Sequence, residues 1–193
     1  MAQAVFLDRD GVLDALIYNP LTREYESPHR LEDLEMLPRI EEPLKLLQEK
    51  GFLLFLVSNQ PSYAKGKTTL ENIHAIHDKM HEQLIKAGIF FTEYYYCYHH
   101  PEGIKAGYSG PCQCRKPSPY FLLQARDKYK LDLSRSWMVG DQGRDIACGK
   151  AAGVKTILVE YAHSSDRRKE ADAQPDHTAP DLFGAVRIII ERL

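Results

Sequence analysis

The stretch Ala4-Val5-Phe6-Leu7-Asp8-Arg9-Asp10-Gly11 runs from four apolar residues into two carboxylates two positions apart, then a glycine. An unbroken apolar run predicts a strand buried on both faces, and the glycine permits a sharp turn where that strand ends. Asp8 and Asp10 then stand at the C-terminal edge of a strand, where open α/β sheets bind their ligands. Taken alone, the stretch fits a polar turn closing a strand equally well.

Four further segments repeat the pattern. Phe52 to Val57 is apolar and ends in Ser58-Asn59-Gln60, Phe91 to Tyr96 is aromatic, Trp137 to Gly140 ends in Asp141, and Thr156 to Val159 follows. Between them lie helical periods. Ile40, Leu44 and Leu47 recur up to Gly51, with Pro43 in the first turn, and Leu70, Ile73, Met80 and Leu84 follow the capping-box form Thr68-Thr69-Leu70-Glu71. Ser118-Pro119 reads as N-cap and first turn of a helix through Tyr129, residues 144 to 152 as another, and residues 181 to 192 as a last one. Residues 12 to 33 and 161 to 180 are polar and aperiodic and read as loops. His74, His77 and His81 read as residues bordering the apolar stripe of their helix rather than as metal ligands. The alternation of strand and helix predicts an α/β fold, a Rossmann-like three-layer sandwich around a central parallel sheet, as one domain over residues 1–193.

The chain has 193 residues, 27% of them charged, with a formal net charge of -2, so it carries no electrostatic footprint for nucleic acid. No apolar run is long enough to span a membrane. The first apolar run carries the acidic pair itself rather than a cleavable leader. A cytoplasmic monomer acting on a small molecule is the expectation.

Several strand ends carry groups that one reaction could use together. A carboxylate attacking a phosphate ester meets repulsion between two anions, and Mg2+, held by a few carboxylate oxygens, relieves it. Asp8 and Asp141 suit that ion. Ser58 can donate to phosphoryl oxygens and Lys116 can neutralise the transferring group. Asp10 can protonate the leaving alkoxide and later take a proton from water.

Asp8-Arg9-Asp10-Gly11, Ser58-Asn59-Gln60, Arg115-Lys116-Pro117 and Gly140-Asp141 with Asp145 together resemble the four motifs of the haloacid dehalogenase superfamily, in its order. The resemblance implies Asp8 as nucleophile forming an aspartyl-phosphate and Asp10 as acid and base. It implies Ser58, Asn59 and Lys116 as phosphate-binding residues, and Mg2+ held by Asp8, Asp141 and the backbone carbonyl of Asp10. Asp145 could bind the ion directly, bind it through water, or orient Lys116.

Cys97-x-His99 and Cys112-x-Cys114 bring three thiolates and an imidazole into the loop 97–114, a ligand set for closed, structural Zn2+. His100 is the alternative imidazole, and three buried or redox-active thiols are the competing reading. A zinc knot there would hold Arg115 and Lys116 at the phosphate site. This loop, placed before Arg-Lys-Pro, narrows the resemblance to the group of heptose-bisphosphate and histidinol-phosphate phosphatases, which lack a large cap domain. The resemblance implies removal of the 7-phosphate of D-glycero-D-manno-heptose 1,7-bisphosphate, with Arg115 helping to bind the sugar phosphate. Histidinol phosphate or another small ester is the alternative, and a phospho-accepting or zinc-organised binding module the non-enzymatic one. Pro61-Ser62-Tyr63-Ala64-Lys65-Gly66 departs from the Ser-Gly-Ile-(Ala/Gly)-Arg-Gly usual in that group.

Overall fold

Strand β1, Ala4–Leu7, is wholly buried, and its alternating side chains enter two different cores. Val5 and Leu7 join Leu44 and Leu47 of α1 (Glu41–Glu49), Met80 and Leu84 of α2 (Leu70–Lys86), and Val186 and Ile189 of α5 (Leu182–Ile190). Ala4 and Phe6 join Leu122 and Ala125 of α3 (Tyr120–Tyr129) and Cys148 of α4 (Gly143–Ala152). A strand with no polar position can sit only in the middle layer, so this partition makes the three-layer sandwich. Phe6 stacks on Phe55 with ring centroids 5.2 Å apart, and burying one such side chain contributes about 1.5–3 kcal/mol. The structure is a computed structural model and describes residues 1–167 and 173–193.

The sheet runs β5-β4-β1-β6-β7-β8, with β4 at Leu53–Asn59, β5 at Glu93–Cys97, β6 at Trp137–Gly140, β7 at Lys155–Val159 and β8 at His177–Ala179. Every pair is parallel. The chain winds outward from β1 through β4 to β5, then returns to β6 and winds the other way. The direction of winding therefore reverses between β1 and β6, and ligands bind outside the carboxyl ends of strands at such a point. Asp8 and Asp141 lie there, directly after the two strands. The backbone N–H of Asp8 still donates to Val139 O at 2.9 Å, so the first carboxylate is registered against β6.

Local details differ from the sequence reading. Residues 12–33 are not all loop: β2 (Ile17–Asn19) and β3 (Glu24–Glu26) form an antiparallel hairpin, and Leu31–Asp33 make a 3-10 turn. Three-residue strands are too short to show a period in sequence. The cap of α2 is Thr69, whose hydroxyl accepts from Asn72 N at 3.2 Å, one residue later than the expected Thr68. The cap position of α3 is Pro119, while the Ser118 hydroxyl accepts from Tyr120 N. The expected loop 161–180 contains a 3-10 turn at Ala162–Arg167 and β8, and its part at 168–172 lies outside the described residues.

His77 is buried rather than at the border, stacked on Tyr96 at 3.6 Å, while His81 stacks on Tyr94 at 3.6 Å and His74 is exposed. Burial, with Arg9 nearby, pushes the His77 imidazole down to about 2, so the ring is neutral and packs as an aromatic. Among the described residues no helix is long and apolar enough to cross a membrane.

Candidate active site

Lys116 sits at the centre of the polar edge. Its ammonium lies 3.0 Å from Asp8 Oδ1 and 2.7 Å from Asp145 Oδ1, and it donates to Val57 O at 2.7 Å. Burial opposes the charge, but Asp145 and Asp8 outweigh it and push the ammonium well above its ordinary value. The backbone of Lys116 is gripped as well. Asn59 Nδ2 donates to Lys116 O at 3.1 Å and Asn59 Oδ1 accepts from Lys116 N at 3.0 Å. The amide expected to bind phosphate thus has its side chain on the segment that carries the lysine.

Asp10 belongs to a second cluster. Arg9 Nη2 donates to Asp10 Oδ1 at 2.7 Å, and Arg9 Nε lies 3.2 Å from Asp14 Oδ2. Arg9 lies in the bend after β1 and is wholly buried, with Asp10 and Asp14 as its counter-charges. Burial opposes its charge, but Asp10 and Asp14 raise its pKa further. Gln60 Nε2 donates to Asp10 Oδ2 at 2.6 Å and to Ser58 Oγ at 3.0 Å, linking Asp10 to the hydroxyl at the end of β4. Gly11, at φ +78°, completes the turn.

Asp8, Asp141 and Asp145 each offer a carboxylate oxygen within 4.8 Å of the others, and all three are buried. Three carboxylates against one ammonium form a donor set suited to a hard divalent cation. Asp145 Oδ2 accepts from Gln142 N at 2.9 Å, which fixes the carboxylate that faces Lys116. Burial pushes the Asp8 carboxyl above its ordinary value; Lys116 opposes this, and Asp145 and Asp10 add to it.

Cys97, His99, Cys112 and Cys114 converge in the loop before Arg115. The sulfurs lie 3.1, 3.6 and 3.7 Å apart, and Cys114 Sγ is 3.7 Å from His99 Nδ1. Bonds of about 2.3 Å from zinc to sulfur give tetrahedral edges of about 3.8 Å, so the set fits a closed four-coordinate metal site. His100 stands outside it, accepting from Glu102 N through Nδ1. Arg115 Nη1 donates to His99 O at 3.2 Å, which joins this cluster to the segment that carries Lys116.

Three loops make the rim. Ala64 O accepts from Ile104 N at 2.7 Å, and Tyr63 meets Tyr108 edge-on at 5.0 Å, so the altered 60–67 loop docks on the cysteine loop. Lys67 Nζ reaches Glu26 Oε1 at 2.5 Å, which ties the same loop to the β2–β3 hairpin. No large cap stands between these loops and the cleft among the described residues.

Comparison with known proteins agrees with this geometry. The HAD-hydrolase-like family model matches residues 113–185. D-glycero-D-manno-heptose-1,7-bisphosphate 7-phosphatase from Thermosynechococcus vestitus is 38% identical, covering 98% of this chain and 96% of that protein. The D-glycero-beta-D-manno-heptose-1,7-bisphosphate 7-phosphatase of Vibrio cholerae is 37% identical, covering 87% of each. The chain belongs to the haloacid dehalogenase superfamily of phosphatases. The crystal structure of D,D-heptose 1.7-bisphosphate phosphatase from B. bronchiseptica, complexed with magnesium and phosphate, superposes with a TM-score of 0.77 at 25% identity over 99% of both chains.

In this phosphatase Asp8, Asp10, Ser58, Asn59, Lys116, Asp141 and Asp145 fall on one sheet edge, with Arg115 on the side of the cysteine loop. Sequence reasoning assigned no role to Gln60, Gln142, Asp14 or Ser164. Gln60 ends the Ser58-Asn59-Gln60 motif and Gln142 directly follows Gly140-Asp141, and those positions were a usable signal. Ser164 stood in a segment with no pattern.

The raised Asp8 carboxyl has a consequence for stability. A carboxyl whose folded pKa exceeds its unfolded value of about 3.9 contributes stability that is complete below that value and lost as pH rises through the folded pKa. At pH 7, with metal removed by chelator, Asp8→Asn should therefore raise Tm by a few degrees, about 2–4 °C per kcal/mol relieved. The gain should shrink as pH falls toward 4. A lower Tm for Asp8→Asn at pH 7 would show that the Lys116 contact outweighs burial.

Proposed function

We propose that this phosphatase removes the 7-phosphate of D-glycero-D-manno-heptose 1,7-bisphosphate through an aspartyl-phosphate on Asp8. The reading rests on the Asp8–Lys116–Asp145 chain at the sheet edge with Asp10 alongside. The relatives supply the substrate class.

Asp8 attacks phosphorus with one carboxylate oxygen, and Asp10 gives its proton to the departing sugar oxygen. Asp10, now a carboxylate, takes a proton from water as that water attacks phosphorus, releasing phosphate and restoring Asp8. Ser58 and Lys116 hold the phosphoryl oxygens, and the buried ammonium opposes the charge that builds on them. Asn59 holds the Lys116 backbone rather than offering its side chain to phosphate, and Asp145 orients Lys116. Gln60 and Arg9 hold Asp10. Bound at Asp8, Asp141 and the carbonyl of Asp10, Mg2+ would neutralise the phosphate and align it for in-line attack. The related B. bronchiseptica phosphatase with magnesium and phosphate supports that choice of ion. Arg115, on the rim, takes the outer part of the substrate.

We assign the Cys97, His99, Cys112 and Cys114 site to structural Zn2+, since four donors leave no open position for chemistry. Four free cysteines, three of them in mutual contact, support a reducing compartment such as the cytoplasm. The whole of residues 1–193 serves as one phosphatase domain in this account.

Phosphate release with Mg2+ tests the substrate, using both anomers of heptose 1,7-bisphosphate beside histidinol phosphate and small esters. The expected result is a kcat/KM on one heptose anomer at least tenfold above every other ester. A histidinol phosphate value above both anomers would overturn the assignment. For the zinc site, metal analysis should find one zinc per chain and Cys112→Ser should lose it. The same variant should lower kcat/KM by about 10–100-fold through the loosened Arg115-Lys116 segment. Wild-type protein without zinc, or a zinc-free variant of full activity, would contradict that role.

A further inference from the structure

Two donors, one adjacent and one from a distant part of the chain, meet at one oxygen of the Asp141 carboxylate. Gln142 Nε2 donates to Oδ2 at 2.9 Å, and the Ser164 hydroxyl donates to the same atom. Gln142 is the next residue, whereas Ser164 arrives from the 3-10 turn after β7 and is completely buried.

That turn is anchored from both sides. His163 stacks on Tyr25 of the β2–β3 hairpin at 4.1 Å and 14°, Tyr161 meets His163 edge-on at 5.5 Å, and Ser164 N donates to Tyr161 O at 3.0 Å. From below, Gly11 leaves room for it. A Cβ on Gly11 would lie 2.6 Å from Asp141 Oδ2 and 2.9 Å from Ser164 Oγ, so the turn that carries Asp10 must lack a side chain where this pair sits. Ser164 therefore closes a three-way junction between the end of β1, the end of β6 and the arm after β7.

We propose that Ser164 is a positioning residue for the divalent-cation site, setting its affinity by fixing the Asp141 carboxylate. The inference rests on the reading of Asp8 and Asp141 as Mg2+ ligands. Mg2+ demands near-ideal octahedral geometry and tolerates little rotation of a ligand, so a carboxylate held at Oδ2 before the ion arrives loses less freedom on binding. The arm's seating on Tyr25 makes the hairpin at the rim part of the same device.

The test is Mg2+ binding by calorimetry on the chelator-treated full chain, with the Tm of each variant measured with and without Mg2+. Wild type should bind and Asp141→Asn should not. Ser164→Ala should bind about tenfold more weakly, with a smaller Mg2+-dependent rise in Tm than wild type shows. In turnover, the Mg2+ concentration for half activity should rise by the same factor while kcat at saturating Mg2+ and substrate KM stay near wild type. A purely structural serine would lower the metal-free Tm and leave the Mg2+ affinity unchanged, which would overturn the proposal. His163→Ala, which frees the arm from Tyr25 without touching Asp141, should weaken Mg2+ in the same direction even if Ser164→Ala does not fold; an unchanged affinity there would count against the proposal. Wild type that binds no Mg2+ would refute the cation-site reading itself, and the inference with it.

Discussion

One buried ammonium holds the polar edge of the sheet together. Lys116 is nearly inaccessible, and moving an unpaired charge to such a place would cost several kcal/mol. It remains charged because Asp8 and Asp145 stand on either side and Val57 O accepts a third contact. The dependence is mutual: two carboxylates this close would repel one another without the cation between them. Replacing Lys116, Asp8 and Asp145 together with apolar residues would be neutral or stabilising, whereas removing one side alone would leave a buried charge unpaired. Stability alone therefore does not account for the three charges.

The rest of the structure can be followed outward from that point. Lys116 is not carried by a sheet strand; it lies in the segment between β5 and α3. Two devices immobilise it: the Asn59 side chain clamps its backbone, and the cysteine cluster pins the loop immediately before it. The cysteine cluster thereby does for a loop what hydrogen-bonded neighbours do for β1 and β6. The rim follows from the same economy. With no large cap over the cleft among the described residues, the 60–67 loop, the cysteine loop and the hairpin brace one another through Ala64, Tyr63 and Lys67.

Much of this was legible in the sequence, for reasons that can be stated. Strands buried on both faces must be apolar throughout, so Ala4 to Leu7, Phe52 to Val57 and Trp137 to Gly140 announced a covered parallel sheet, and the carboxylates after them announced its working edge. Cysteines two apart and an imidazole two from a cysteine carry ligand spacing on their face. The hairpin at 17–26 was illegible because three-residue strands hold too few positions for alternation to appear. Ser164 was illegible because its partner is 23 residues away and only the folded arm brings them together. Asn59 was legible as a member of the site, though not in what its side chain grips. Arg9, named only as part of a motif, proves to be a buried counter-charge to Asp10 and Asp14, and no period in the sequence marks the bend that buries it.

The central claim is that Asp8 carries the phosphoryl group between the sugar and water. The most direct measurement is rapid acid quench during turnover of heptose 1,7-bisphosphate with Mg2+, followed by peptide mapping by mass spectrometry. The account predicts one phosphoryl group on the peptide containing Asp8, absent from Asp8→Asn, which releases no phosphate. A phosphoryl group on another residue, or full phosphate release by Asp8→Asn, would contradict it.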